Sequence, residues 1–167
     1  DMEINVWDRI IAFEGRMHEF IKAAYDYQDN TFHSHPGYYI DYFEMRLAQL
    51  QVLHNLHYEI KKIRKMPKQA LVIADYIMYM ADYVVEMNIP DQQIEKLEEI
   101  SEQMKQEELP KTREEFEGRA LLYHILMDLE EFLVYKKRFV SGLDEKKLRI
   151  YWKQEMEQKD SANELQK

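Results

Sequence analysis

The four prolines of this chain, at positions 36, 67, 90 and 110, stand at the edges of its hydrophobically patterned segments and never within one. A proline inside a helix removes a hydrogen bond and clashes with the preceding turn, at a cost of about 3 kcal/mol. The stretches between the prolines are therefore free to be helical throughout, and their apolar residues recur in steps of three and four. Only four glycines accompany them, too few for the tight turns of hairpins and barrels. The expected fold is all-α: an antiparallel bundle of about five helices plus a C-terminal amphipathic helix.

The first helix is expected from about Met2 to Gln28, on a seam of Val6, Ile10, Phe13, Met17, Phe20, Ala24 and Tyr27. The loop over 29–37 ends it, with Pro36 and Gly37 as breakers. A second helix is expected from about Tyr38 to Lys65, with one seam through Tyr39, Tyr42, Arg46, Gln49, Leu53 and Leu56 and another through Ile40, Phe43, Leu47 and Leu50. So wide an apolar arc places it centrally in a bundle. The third, about Pro67 to Asn88, carries the small-residue seam Ala70, Ala74, Ile77, Ala81 and Val84, suited to close approach. The fourth, about Pro90 to Glu107, has a thin stripe (Ile94, Leu97, Ile100, Met104) and should be largely exposed. Residues 1–140 form one bundle domain, and residues 141–167 a C-terminal helix with a polar tail.

The fifth helix opens on the stretch "LPKTREEFEGRA" (109–120). Thr112 followed by Glu115 is a capping box, in which Thr112 accepts from the amide of Glu115 and the Glu115 side chain returns to the amide of Thr112. Glu114 and Glu115 complement the positive helix end, and Glu115 and Arg119 are spaced for an i,i+4 pair. Together with Arg113 these residues are read as a structural motif. Lys136, Lys137 and Arg138 sit in the last turns, and Gly142 ends the helix.

The formal charge of −9 argues against nucleic acid, which calls for a basic face that displaces counterions. An anionic membrane surface also repels such a chain on average. The basic clusters "KKIRK" (61–65) and "YKKRF" (135–139) lie near expected helix C-termini, where cations suit the dipole. Without cysteine there is no disulfide and no thiolate site. The apolar run 70–87 contains Asp75 and Asp82, each costing about 2.5–3.5 kcal/mol near a helix centre, and is not read as a membrane span. The chain opens on Asp1 rather than Met and reads as part of something longer.

Six histidines raise the question of a metal. His33 and His35 lie in a loop, His54 and His57 share a helix face, and none has a Glu three residues before it. Converging ligands for zinc or a di-iron centre are therefore missing, and no metal or cofactor is expected. Arg46 and Gln49 interrupt an apolar seam, where a charge must find a partner such as Glu14 or Asp128. An alternative reading makes Tyr39, Tyr42, Arg46 and Gln49 a binding site for a small aromatic carboxylate. The tyrosine clusters 38, 39, 42 and 76, 79, 83 suit helix interfaces or the subunit contacts of a homo-oligomer. No nucleophile–base pairing or phosphate loop stands out, and a non-enzymatic role is expected.

Two blocks, "YYIDYFEMRLAQLQVLHNL" (38–56) and "LPKTREEFEGRALLYHILMDLEEFLVYKKRF" (109–139), resemble the C-terminal domain of the aromatic acid exporter family of bacterial membrane proteins. The resemblance implies a helical domain on the cytoplasmic side of the inner membrane, partnered by an N-terminal transmembrane region that this chain does not contain. Its implied role is assembly or regulation, without insertion into the membrane by this segment. Gly118 stands where the family pattern suggests Asn, a weak helix residue unless close packing needs it.

Overall fold

Pro36 is the first residue of a helix rather than the end of a loop, a position where its missing N–H costs nothing and its fixed φ suits the helix. The computed structural model describes residues 8, 9, 12, 15, 16, 18, 19, 22, 36–65 and 67–152. Helix α1 spans Pro36–Ile60, α2 Ala70–Ala81, α3 Asp91–Lys105, α4 Arg113–Ser141 and α5 Glu145–Tyr151. No strand occurs among the described residues, and the fold is an all-α bundle. The described positions from 8 to 22 are helical, but most of the first expected helix, with Glu14, lies outside the described residues, as do His33 and His35 of the loop after it.

α1 packs chiefly on α4, while α3 packs on both α4 and α2. The pairing of α1 and α4 is antiparallel: Tyr42 meets the Phe139 ring at 5.6 Å, and Gln49, further along α1, bonds to Phe132, earlier in α4. α2 and α3 are also antiparallel, joined by Tyr76 to Gln93 at one end and Gln69 to Glu107 at the other. The core gathers Leu53, Leu56, Ile77, Met80, Leu122, Ile125, Leu129 and Phe132. Ala70, Ala74 and Ala81 are buried as the small-residue seam predicts. α3 buries Leu97, Ile100 and Met104 of its expected stripe, while Ile94 is half-buried and Gln93 takes the fourth buried place.

Two helices are shorter than their periodicity predicts. α1 stops at Ile60 instead of running to Lys65; Lys62 and Ile63 donate to the carbonyls of Glu59 and Ile60, the tightened bonds of a closing turn. In a further turn Lys61 would face the like charges of Arg64 and Lys65, three and four residues on, and Pro67 bars continuation beyond it. α2 stops at Ala81 instead of Asn88, again through three-residue bonds from Asp82, Tyr83 and Val84. The apolar period continues there, but the carbonyls of Val85 and Glu86 are engaged by a lysine of α4.

α4 begins as expected, with the Thr112 hydroxyl accepting from the amide of Glu115 at 3.1 Å. On the return side the Glu115 carboxylate takes the amide of Lys111 at 2.7 Å, one residue before the expected one, and this chiefly holds its pKa low, with the Thr112 amide acting in the same direction. Arg119 acts on that carboxylate more weakly, behind the amides and Lys65. At Gly118 an added Cβ would lie 3.0 Å from Pro67 Cγ and 3.5 Å from the Lys65 carbonyl, so close packing does explain a glycine there. Asp144 caps α5 by accepting from the amide of Lys147 at 2.7 Å.

Candidate functional site

Tyr42, Arg46 and Gln49 lie one helical turn apart on the face of α1 that meets α4, and all three are 1% exposed. Arg46 donates through Nε to the Tyr42 hydroxyl at 3.1 Å and through Nη1 to Gln49 Oε1 at 2.8 Å. Gln49 Nε2 then donates to the main-chain carbonyl of Phe132 at 2.8 Å. Burial pushes the Tyr42 hydroxyl up to about 12, against the pull of the Arg46 guanidinium. Tyr39 is buried on the adjoining face, edge-on to Tyr38 at 5.0 Å. Three of the four candidate ligand residues thus bond to one another or to the bundle backbone, and the fourth packs beside them. Asp128, a suggested partner for Arg46, faces His124 instead, whose Nδ1 is 3.4 Å from Asp128 Oδ2.

A second polar network was not anticipated from the sequence. Lys136 is 4% exposed, and its ammonium donates to the carbonyls of Val85 and Glu86 at 2.7 and 2.6 Å. The Glu86 side chain accepts from the Tyr38 hydroxyl at 2.8 Å, which in turn accepts from the indole N–H of Trp152 at 3.0 Å. Burial, with the nearby Glu86 charge, raises the Tyr38 pKa well above the usual phenol range. The Tyr38 ring stacks on Tyr151 at 4.2 Å and tilts against Phe139 at 5.5 Å. The signal for Lys136 was legible: it occupies the α4 stripe of Leu129, Phe132 and Val140, the same interruption that marks Arg46. Nothing local in the sequence ties Glu86 or Trp152 to Tyr38.

The capping residues sit at the opposite end of the bundle. Glu114, Glu115 and Arg119 line a cleft of about 320 Å³ together with Lys65, Lys68 and Lys111. Arg113 borders a neighbouring cleft of about 640 Å³ with Lys62, Arg64 and Phe116. Among the described residues no group of three or more His, Asp or Glu side chains is placed to hold a metal ion. His54 is exposed and His57 half-buried. No helix is long and apolar enough to cross a membrane, among the described residues.

These features define a helical-bundle domain whose buried polar groups tie one helix to the next. The chain belongs to the family described as "Putative aromatic acid exporter C-terminal domain", which it matches over residues 3–137. It is 32% identical over 98 residues to the uncharacterized protein YqjA of Bacillus subtilis (strain 168), an alignment that covers 59% of this chain and 30% of that relative. The crystal structure of a putative membrane protein from Clostridium difficile 630 shares the fold, with a TM-score of 0.60 at 23% identity, covering 84% of this chain and 92% of the other.

Proposed function

We propose that this domain is the non-catalytic, cytoplasmic part of an inner-membrane exporter, and that it assembles or regulates a transmembrane region preceding it in the full protein. The observation that carries this reading is the family match over 3–137, a C-terminal exporter domain, in a chain without a membrane-spanning helix among its described residues. The buried networks support it, since they serve to hold helices in register. A register-holding domain of this kind transmits rigid-body motion or fixes subunit spacing without needing a reaction centre.

The test uses the full-length protein that carries this segment. It should fractionate with membranes, and protease should reach the domain in inverted vesicles but not in intact spheroplasts. Removal of the domain should reduce efflux or assembly of the membrane part. A full-length protein found wholly in the soluble fraction, or a domain cut only from the outside, overturns the proposal.

The rival reading is a sensor that holds an aromatic carboxylate on Arg46. It requires the guanidinium to exchange Gln49 and Tyr42 for the ligand. Calorimetry with benzoate separates the two: heat that disappears in Arg46→Ala favours the sensor, and none is expected.

A further inference from the structure

The connection between α1 and α2 carries Lys61, Lys62, Arg64, Lys65 and Lys68 with no acid between them, in a chain of net charge −9. All five are exposed. Because α1 ends at Ile60, Arg64, Lys65 and Lys68 lie beyond the turn over which its dipole acts, and complementing that dipole does not account for them. Lys111 and Arg113 join them across the two clefts at this end. Acids share these clefts, Glu107, Glu108, Glu114, Glu115 and Glu117 on the α4 side, and Glu59 lies 3.3 Å from the Lys62 ammonium. Glu115 accepts from the Lys111 amide and Glu108 stands 3.8 Å from the Lys111 ammonium, so the loop side is the cationic one.

The same end displays unusual apolar exposure. Leu109 is 84% exposed, Tyr58 64% and Phe116 61%, three of the four most exposed large hydrophobic residues described. Leu109 borders the cleft of Lys65 and Lys68, and Phe116 that of Lys62 and Arg64. The Lys62 ammonium lies over the Tyr58 ring at 4.9 Å. Cations beside protruding apolar side chains suit a headgroup layer, where phosphates meet the first and the acyl boundary accepts the second.

Chain direction points the same way. Arg9 pairs with Asp75 at 2.6 Å and Arg16 with Asp82 at 3.6 Å, so the N-terminal stretch runs parallel to α2. Of these two residues, Arg9 is the nearer to the Ala70 end of α2 and the basic connection. We propose that this end of the bundle rests on an anionic lipid surface, its loop cations among the phosphates and Leu109 and Phe116 entering the headgroup region. The inference rests on the reading above, in which the exporter's membrane part precedes this domain. The net negative charge of the chain then favours this orientation, because the acids elsewhere are repelled by the same surface.

The test is co-sedimentation of the 167-residue chain with vesicles of phosphatidylglycerol and phosphatidylcholine, against phosphatidylcholine alone. Binding is expected only with phosphatidylglycerol, and it should fall as salt rises. Replacing Lys61, Lys62, Arg64, Lys65 and Lys68 by Gln should weaken it at least tenfold, and Phe116→Ser several-fold. The control Lys105→Gln/Lys146→Gln/Lys147→Gln should bind as before, with circular dichroism confirming that each variant is folded. A folded chain that ignores phosphatidylglycerol, binds both vesicles alike, or loses as much in the control overturns the proposal. None of these results bears on where the full-length protein resides, so the two readings fail separately.

Discussion

Gln49 in α1 donates its side-chain amide to the main-chain carbonyl of Phe132 in α4, 2.8 Å away and with both partners in the core. A side-chain bond to a helical carbonyl fixes how far one helix can slide along the other, which purely apolar packing does less strictly. Gln49→Leu removes this tie and the acceptor of Arg46 Nη1 together. A loss of roughly 1–3 kcal/mol is expected, the usual cost of leaving a buried polar group unmade. Urea unfolding measures it as a lower midpoint at unchanged slope.

Lys136 and Lys137 are neighbours in sequence with opposite consequences. Lys136→Met strips two charge-assisted bonds from the 82–90 loop and should cost about 2–3 kcal/mol. Lys137 makes an exposed pair with Asp91, and Lys137→Met should cost less than about 1 kcal/mol. Amide exchange locates the difference: protection at residues 84–88 should fall in the first variant only.

Trp152 lies beyond the family match yet is buried against α1. Trp152→Ala should destabilise the bundle by roughly 3 kcal/mol, as large buried aromatics do when truncated. Trp152→Phe, which keeps an aromatic ring of smaller size and loses the bond to Tyr38, should cost less, about 1–2 kcal/mol. Thermal unfolding of the two variants ranks them; equal melting temperatures would contradict the packing described.

Gly118→Leu should lower stability by about 1–3 kcal/mol, because the larger side chain forces Pro67 away from α4. Gly118→Ala sets a helix-propensity gain of about 1 kcal/mol against the contact with Pro67, and should fall between Leu and wild type. Denaturant midpoints of the series give the order.

Asp128 has a pKa raised by burial, with His124 opposing and Glu131 and Glu59 adding to the rise. A carboxyl whose folded pKa exceeds its unfolded one favours the folded state at low pH, and that advantage is lost as pH rises through the folded value. Asp128→Asn should therefore melt higher than wild type at neutral pH. The gap should close below the unfolded carboxyl range, where both side chains are neutral. A melting difference that stays constant across that range would count against the shift.

The sequence by itself determined the helical class, the prolines that no helix runs through, and the cap on Thr112, because each depends on residues within a few positions of one another. It also marked Arg46 and Gln49 as core polar residues, since a charge on an apolar seam shows in the period alone; Lys136 carried the same mark. Tertiary structure decided what those groups touch. α2 ends at Ala81 although its apolar period runs on, and the carbonyls past that end bond to a lysine of α4 about fifty residues away in sequence. Trp152 finds Tyr38, and Gly118 makes room for Pro67, through contacts between distant segments. Local patterning fixes which face of a helix is buried; which partner meets that face follows from how the helices are placed, and only the packed bundle supplies that.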